Sequence, residues 1–170
     1  MNNINVKIME IINECNGNID MFSKRFDEIK CEEKELIVLK ICSSNIKGNE
    51  SNAEIMKFVL KNMEKEVSAR GLGIAFICAL GYEKIGEFSK ALYYYEFCIS
   101  KLPEAAFRHA LNGMKYRVLS KSKKDEKSFK LSVESFAKAV EIETVDWKKE
   151  KWRKAQEEMT LQMERKWMYE

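Results

Sequence analysis

The sequence has little of what interrupts regular structure. Its 170 residues include one proline and seven glycines, whereas a β-sandwich or barrel needs a turn signal about every 8–12 residues. No apolar run approaches the roughly 18 residues of a membrane-spanning helix, and the first residues lack the basic and apolar regions of a secretory signal. We therefore expect neither an all-β fold nor a membrane protein, and we predict a cytoplasmic location.

A large excess of one charge is also missing. The 30 basic and 27 acidic side chains leave a net charge of only +3. A near balance of this kind produces no broad positive field that would attract a polyanion. We therefore do not expect nucleic acid as a partner.

Metal ligands and catalytic groups are scarce. His109 is the single histidine, and the five cysteines include no CxxC pair, so a zinc site would lack ligands. We expect free thiols in a reducing compartment, no metal and no cofactor. His109 could act as a general base, but no serine or cysteine stands beside it as a nucleophile. We interpret it as structural and predict that the protein is not an enzyme.

Helical periodicity fills the chain instead. Apolar residues recur at steps of three and four along residues 4–15 and 19–29, as on one face of an amphipathic helix. A capping-box spacing beginning at Ser51 predicts a further helix start. The sequence therefore predicts an all-α fold in one domain, residues 1–170, with helical hairpins in residues 1–69.

Residues 72–103 show a pattern of small and large side chains spread over two helices. Small residues would let two antiparallel helices approach closely, and large ones would fill the space beside them. The positions are Ala79, Tyr82, Gly86, Phe88, Ala91, Tyr95, Cys98 and Pro103. In this spacing the segment resembles one tetratricopeptide repeat, a helix-turn-helix unit of about 34 residues.

A second match to the same family follows at residues 106–143. Its matching positions are Gly113, Tyr116, Phe136 and Ala139. Residues 119–130 between the two halves exceed the family's turn, so the match requires an insertion there. The lysines of this insertion are typical of an exposed loop, or alternatively of an anion-binding surface. The resemblance covers residues 70–143.

This resemblance implies a short right-handed solenoid of stacked antiparallel hairpins. In the family, the first helices of successive hairpins line a groove that binds a peptide or a partner helix, which implies a scaffold, adaptor or chaperone-like module. By resemblance, the groove positions would be Phe76, Leu80, Glu83, Lys84, Ala110, Met114 and Arg117. Their largely apolar character favours an amphipathic segment as the ligand.

Residues 144–170 predict one long C-terminal helix. Its apolar face would carry Trp152, Met159, Met163 and Trp167. This face either caps the last hairpin or packs against another protein, including a second copy in a homodimer. An alternative function is a helical regulator that contacts nucleic acid or a small ligand through the basic insertion or this helix.

Overall fold

The fold of the described residues is helical. The computed structural model describes the backbone of residues 3–46 and 49–167, without the side chains at 3, 69, 70, 163, 164, 166 and 167. The helices are α1 (Asn3–Cys15), α2 (Ile19–Asp27), α3 (Lys34–Ser44), α4 (Glu50–Glu64), α5 (Val67–Arg70), α6 (Leu72–Lys84), α7 (Phe88–Lys101), α8 (Ala106–Lys123), α9 (Glu126–Ile142) and α10 (Asp146–Trp167). The all-α prediction is confirmed. Within these described ranges, no helix has the length and apolar character needed to cross a bilayer.

Two compact units divide the chain, Met1–Glu87 and Phe88–Glu170. The first unit contains α1 to α6 and the second contains α7 to α10. The boundary falls inside residues 72–103, so the two helices of the clearer repeat-like segment belong to different units. The single domain and the solenoid expected from the sequence stay predictions.

The first unit is built from two helical hairpins and α6. α1 packs on α2 and α3, while α4 packs on α2, α3 and α6. The apolar stripe of α1 is buried, including Ile8 and Ile11. In α2, the Phe22 ring stacks on Phe26 at 5.2 Å between centroids and meets the edge of the Phe58 ring at 5.9 Å. The periodic apolar positions therefore form the core of this unit.

The start of α4 differs from the predicted capping box. Asn49 is the N-cap, and its side chain accepts a hydrogen bond from the Asn52 amide at 3.0 Å. Asparagine is at least as good an N-cap as serine, and this start places Glu50 in the first turn, where the helix dipole favours an acidic residue. Ser51 instead lies inside the helix and donates to the Asn16 side chain at 3.3 Å. The prediction of a cap at Ser51 is wrong.

Gly71 joins α5 to α6 in a conformation that other residues avoid. Its φ is 74° and its ψ is −153°, a combination essentially confined to glycine. The space beside it is open, because an added Cβ would meet nothing within 4 Å. The chain can therefore turn into α6 at this position because Gly71 has no side chain.

The most extensive helix packing in the second unit joins α8 to α9. α8 packs on α7 and α9, and α9 packs on α10. A Cβ on Gly113 would lie 2.8 Å from ring carbons of Phe136, and the Ser132 hydroxyl donates to the Gly113 carbonyl at 2.8 Å. The missing side chain of Gly113 therefore lets the two helices approach until the Phe136 ring covers its Cα.

The loop predicted across residues 119–130 is wrong. α8 and α9 occupy all of this segment except Lys124 and Asp125. Lys124 adopts the left-handed conformation, φ 53° and ψ 37°, which ends α8 in one residue. Asp125 then caps α9, because its carboxylate accepts from the Ser128 amide and hydroxyl, both at 2.8 Å. These hydrogen bonds hold the pKa of Asp125 below its usual value.

Candidate functional site

The helix α3 is apolar on two opposite sides. Its core-facing side consists of Val38, Leu39 and Cys42, all buried. The other side carries Leu36, which is 40% exposed, with half-buried Ile37 and Ile41. A surface helix usually places polar residues on its outer side. The aliphatic outer side of α3 therefore marks a candidate contact surface.

A groove of about 630 Å³ runs between α1 and this outer side of α3. It lies entirely in the first unit. Its apolar lining consists of Ile4, Met9, Leu36, Ile37 and Ile41, and its polar lining of Asn5, Cys31, Glu33, Lys40, Ser44 and Asn45. The lining extends past both ends of α3, whose 11 residues span about 17 Å. The groove can therefore accommodate about three turns of a helix.

Two opposite charges border the groove on α3. Glu33 is the N-cap residue and forms no side-chain capping bond, and Lys40 is exposed two turns later. Neither side chain has an ion-pair partner among the residues that the structure describes. Lys34 points elsewhere, since its ammonium donates to the Phe26 carbonyl at 3.0 Å and lies 4.4 Å from the ring centroid. The rim thus offers one negative and one positive charge to a ligand.

The cysteines are free, as predicted. Cys31 is half-buried at the Glu33 end of the groove, and the others are buried. Burial raises the pKa of the Cys42 thiol to about 12 and that of Cys98 to about 11. Because the thiolate is the reactive form of cysteine, Cys42 and Cys98 are suited to packing in the core.

The groove positions inferred from the repeat resemblance are divided between the two units. Phe76, Leu80 and Glu83 are half-buried in the first unit, and Lys84 is exposed. In the second unit, Ala110 is 0% and Met114 5% exposed, while Arg117 is half-buried. α8 packs on both α7 and α9. Ala110 and Met114 therefore offer no surface to a partner, and the role of the other five positions stays a prediction.

The buried apolar residues of the C-terminal helix α10 face other helices of the second unit. Trp152 and Met159 are buried, and α10 packs on α9. The centroid of the Trp152 ring lies 6.3 Å from that of the Phe107 ring of α8. Trp152 and Met159 therefore cover this unit's own helices and are not available as a free interface. The side chains of Met163 and Trp167 lie outside the described residues.

His109 lies beside an ion pair at the start of α8. Its Nε2 lies 2.6 Å from a Glu104 carboxylate oxygen, without hydrogen-bond geometry, and Arg108 lies 3.2 Å from the other oxygen. In the described part of the chain, no group of three potential ligand side chains is placed to hold a metal ion. The described surroundings of His109 therefore consist of one carboxylate and one guanidinium group, with no nucleophile described beside it.

One lysine of the predicted anion-binding surface is paired with a carboxylate of the same helix. Lys130 pairs with Glu126 at 2.6 Å, and this contact raises the pKa of Lys130. Lys121 and Lys124 also interact within the protein. On α10, Arg153 pairs with Glu150 at 2.6 Å. Lys130 and Arg153 therefore have acidic partners within the chain, and the anion-binding role of the other lysines stays a prediction.

The residues of the α1/α3 groove were not identified from the sequence as a site. The available signal was the segment Leu36–Ile41, which is apolar around nearly the whole helix except at Lys40. Periodicity alone does not indicate which apolar side a neighbour covers. The groove becomes visible only once the packing of α1, α2 and α4 is known.

Comparison with known proteins yields no match: no protein-family model, no curated protein and no solved structure corresponds to this chain.

Proposed function

We propose that this protein is an interaction scaffold that binds an amphipathic helix of a partner protein in the α1/α3 groove. The observation that carries the proposal is that α3 has apolar residues on two sides. One side completes the core, and Leu36, Ile37 and Ile41 on the other side line an accessible groove. Apolar side chains that line an open groove suit the apolar face of an amphipathic helix.

The lining favours a helix over other peptide conformations. Polyproline segments dock in aromatic-lined grooves, whereas the apolar lining residues here are isoleucine, leucine and methionine. Strand addition requires an exposed sheet edge, and the described part of the chain contains helices and no strand. Met9 is 38% exposed, and its flexible side chain can adjust to ligand side chains of different shapes. A partner helix of about three turns suits the length of α3.

The hairpin arrangement gives the proposal a second line of support. α1 and α3 are the first helices of the hairpins α1–α2 and α3–α4, and they pack on each other. In tetratricopeptide scaffolds, the first helices of hairpins form the binding surface. The proposal therefore keeps the function expected from that resemblance and places the site one or two hairpins earlier.

The test is Leu36→Glu with Leu161→Glu as the matched control. Leu36 is 40% and Leu161 52% exposed, and Leu161 belongs to α10 and is not a lining residue of the groove. Each change adds the same charge to an exposed helix position, where substitutions usually alter stability by less than about 0.5 kcal/mol. Both variants should therefore retain the helical circular dichroism of the wild type.

Binding is measured by affinity capture of tagged wild type and both variants from the native cells, after nuclease treatment. The amounts of co-purified proteins are compared by mass spectrometry. Loss of a central apolar anchor costs about 1–2 kcal/mol or more, which corresponds to a fivefold to thirtyfold loss of affinity. Leu36→Glu should lose the stoichiometric partner that Leu161→Glu retains. Equal capture by the two variants would contradict the proposed site.

A further inference from the structure

We infer that the α1/α3 groove also binds α3 of a second copy of this chain. In this arrangement the two α3 helices run antiparallel, related by a twofold axis that passes near Leu36 and Ile37. The inference rests on the proposed function, because it names one helix that fills the proposed groove.

The charges on the rim define what a complementary helix must carry. Glu33 and Lys40 are separated by seven residues, or about two turns and 10 Å along the helix. Ile37 lies between them on the same stripe, at steps of four and three residues. A helix lying alongside α3 has the same rise, so it needs a basic and an acidic residue seven positions apart, with aliphatic side chains between them.

α3 itself meets this requirement. Rotation of a copy by 180° about the midpoint of Glu33 and Lys40 places each glutamate opposite the lysine of the other copy. Every contact then occurs twice, as a twofold interface requires. Leu36 and Ile37 lie at the centre, where the exposed leucines of both copies leave water. The antiparallel direction also places the positive end of each helix dipole beside the negative end of the other.

The size of the surface sets the expected strength. α3 has 11 residues and spans about 17 Å, whereas a stable protein interface buries about 800 Å² on each partner. A surface built on α3 and one side of α1 is smaller than that. The dimer should therefore be weak and concentration-dependent, and it should compete with a partner helix for the same groove.

The first experiment is sedimentation equilibrium of the full chain from roughly 1 to 500 µM, at low salt and at about 0.5 M salt. The wild type should pass from monomer to dimer within this range. Because salt screens exposed charges, the dissociation constant should rise at the higher salt concentration. Glu33→Lys and Lys40→Glu each create two like-charge contacts in the dimer, so each should weaken dimerisation about tenfold or more.

Charge exchange gives the decisive control. An equimolar mixture of Glu33→Lys and Lys40→Glu restores both opposite-charge contacts, so it should form a heterodimer about as tightly as the wild type associates. The double variant carrying both changes should form a homodimer again. Lys7→Glu, an exposed change on α1 outside the groove lining, alters the net charge as Lys40→Glu does and should leave the dimer unaffected.

Two results would overturn the inference. One is a wild type that remains monomeric throughout the concentration range. The other is a dimer whose dissociation constant is unchanged by the single charge reversals, or is not restored to the wild-type value in the mixture and in the double variant. In either case the copies would associate through another surface or in another register. Failure of the proposed function is seen separately, in the capture experiment with Leu36→Glu.

Discussion

Gly113→Ala measures how closely α8 packs on α9. The added methyl group would lie 2.8 Å from three ring carbons of Phe136, whereas carbon atoms in favourable contact are about 3.5–4.0 Å apart. The Phe136 ring is fully buried, and Ser132 holds α9 at the same height through its bond to the Gly113 carbonyl. The ring therefore cannot move aside without shifting its neighbours.

The expected magnitude follows from two opposing effects. Overpacking of a filled core costs about 1–3 kcal/mol, while replacing glycine by alanine inside a helix gains up to about 1 kcal/mol. Gly73 provides the matched control, since it lies in α6 and an added Cβ there meets nothing within 4 Å. Gly73→Ala should therefore stabilise the protein. Gly113→Ala should lie about 1–3 kcal/mol below Gly73→Ala in the free energy of unfolding.

Urea unfolding measures this difference, with free energies taken from the midpoint and slope. Helical circular dichroism follows the whole chain, and tryptophan fluorescence follows the second unit, because all three tryptophans are in α10. Adding Phe136→Leu to Gly113→Ala should recover part of the loss, which a double-mutant cycle quantifies. Equal stability of Gly73→Ala and Gly113→Ala would refute the packing argument.

The caps of α4 and α9 provide two further tests. Asn49→Ala should lower the free energy of unfolding by about 1 kcal/mol, whereas Ser51→Ala should change it by less than about 0.5 kcal/mol. Urea unfolding measures both values. A larger loss of stability in Ser51→Ala than in Asn49→Ala would contradict the assignment of Asn49 as the cap. Asp125 has a lowered pKa in the folded chain, so its contribution is present above the unfolded-state pKa and disappears as pH falls through the folded-state value. The wild type should therefore lose more stability than Asp125→Asn between about pH 5 and pH 2. If the urea midpoints of the two proteins fell by the same amount over this pH range, Asp125 would not have this role.

The fold class could be predicted because its signals are local. The buried stripe of α1, including Ile8 and Ile11, was visible as a period in the sequence. The reversal between α8 and α9 was not, because Lys124 adopts a left-handed conformation that sequence rules assign mainly to glycine and asparagine. With no turn residue as a marker, the polar stretch around Lys124 resembled a loop.

The candidate site depends on contacts between distant residues. Whether Leu36 or Val38 faces the core is decided by α1 and α4, because apolar residues occur on both sides of α3 in the sequence. Gly81 illustrates the same limit: a Cβ there would meet the Leu60 side chain at 2.5 Å, but no local pattern pairs these two residues. Close approaches and uncovered faces become visible only after the helices have been placed.

At the join between α5 and α6, the obstacle to a side chain is handedness. The angles at Gly71, φ 74° and ψ −153°, are close to the mirror image of polyproline II, which L-residues adopt without strain near −75° and 145°. L-alanine would therefore be strained by about 1–3 kcal/mol, although the space around an added Cβ is empty. A D-residue adopts these angles without backbone strain, and D-alanine would also restrict the unfolded chain, which contributes about 0.4–1 kcal/mol. The backbone at Gly71 therefore has a conformation that favours a D-amino acid. Glycine, which is achiral, is the residue that ribosomal synthesis can place there without strain.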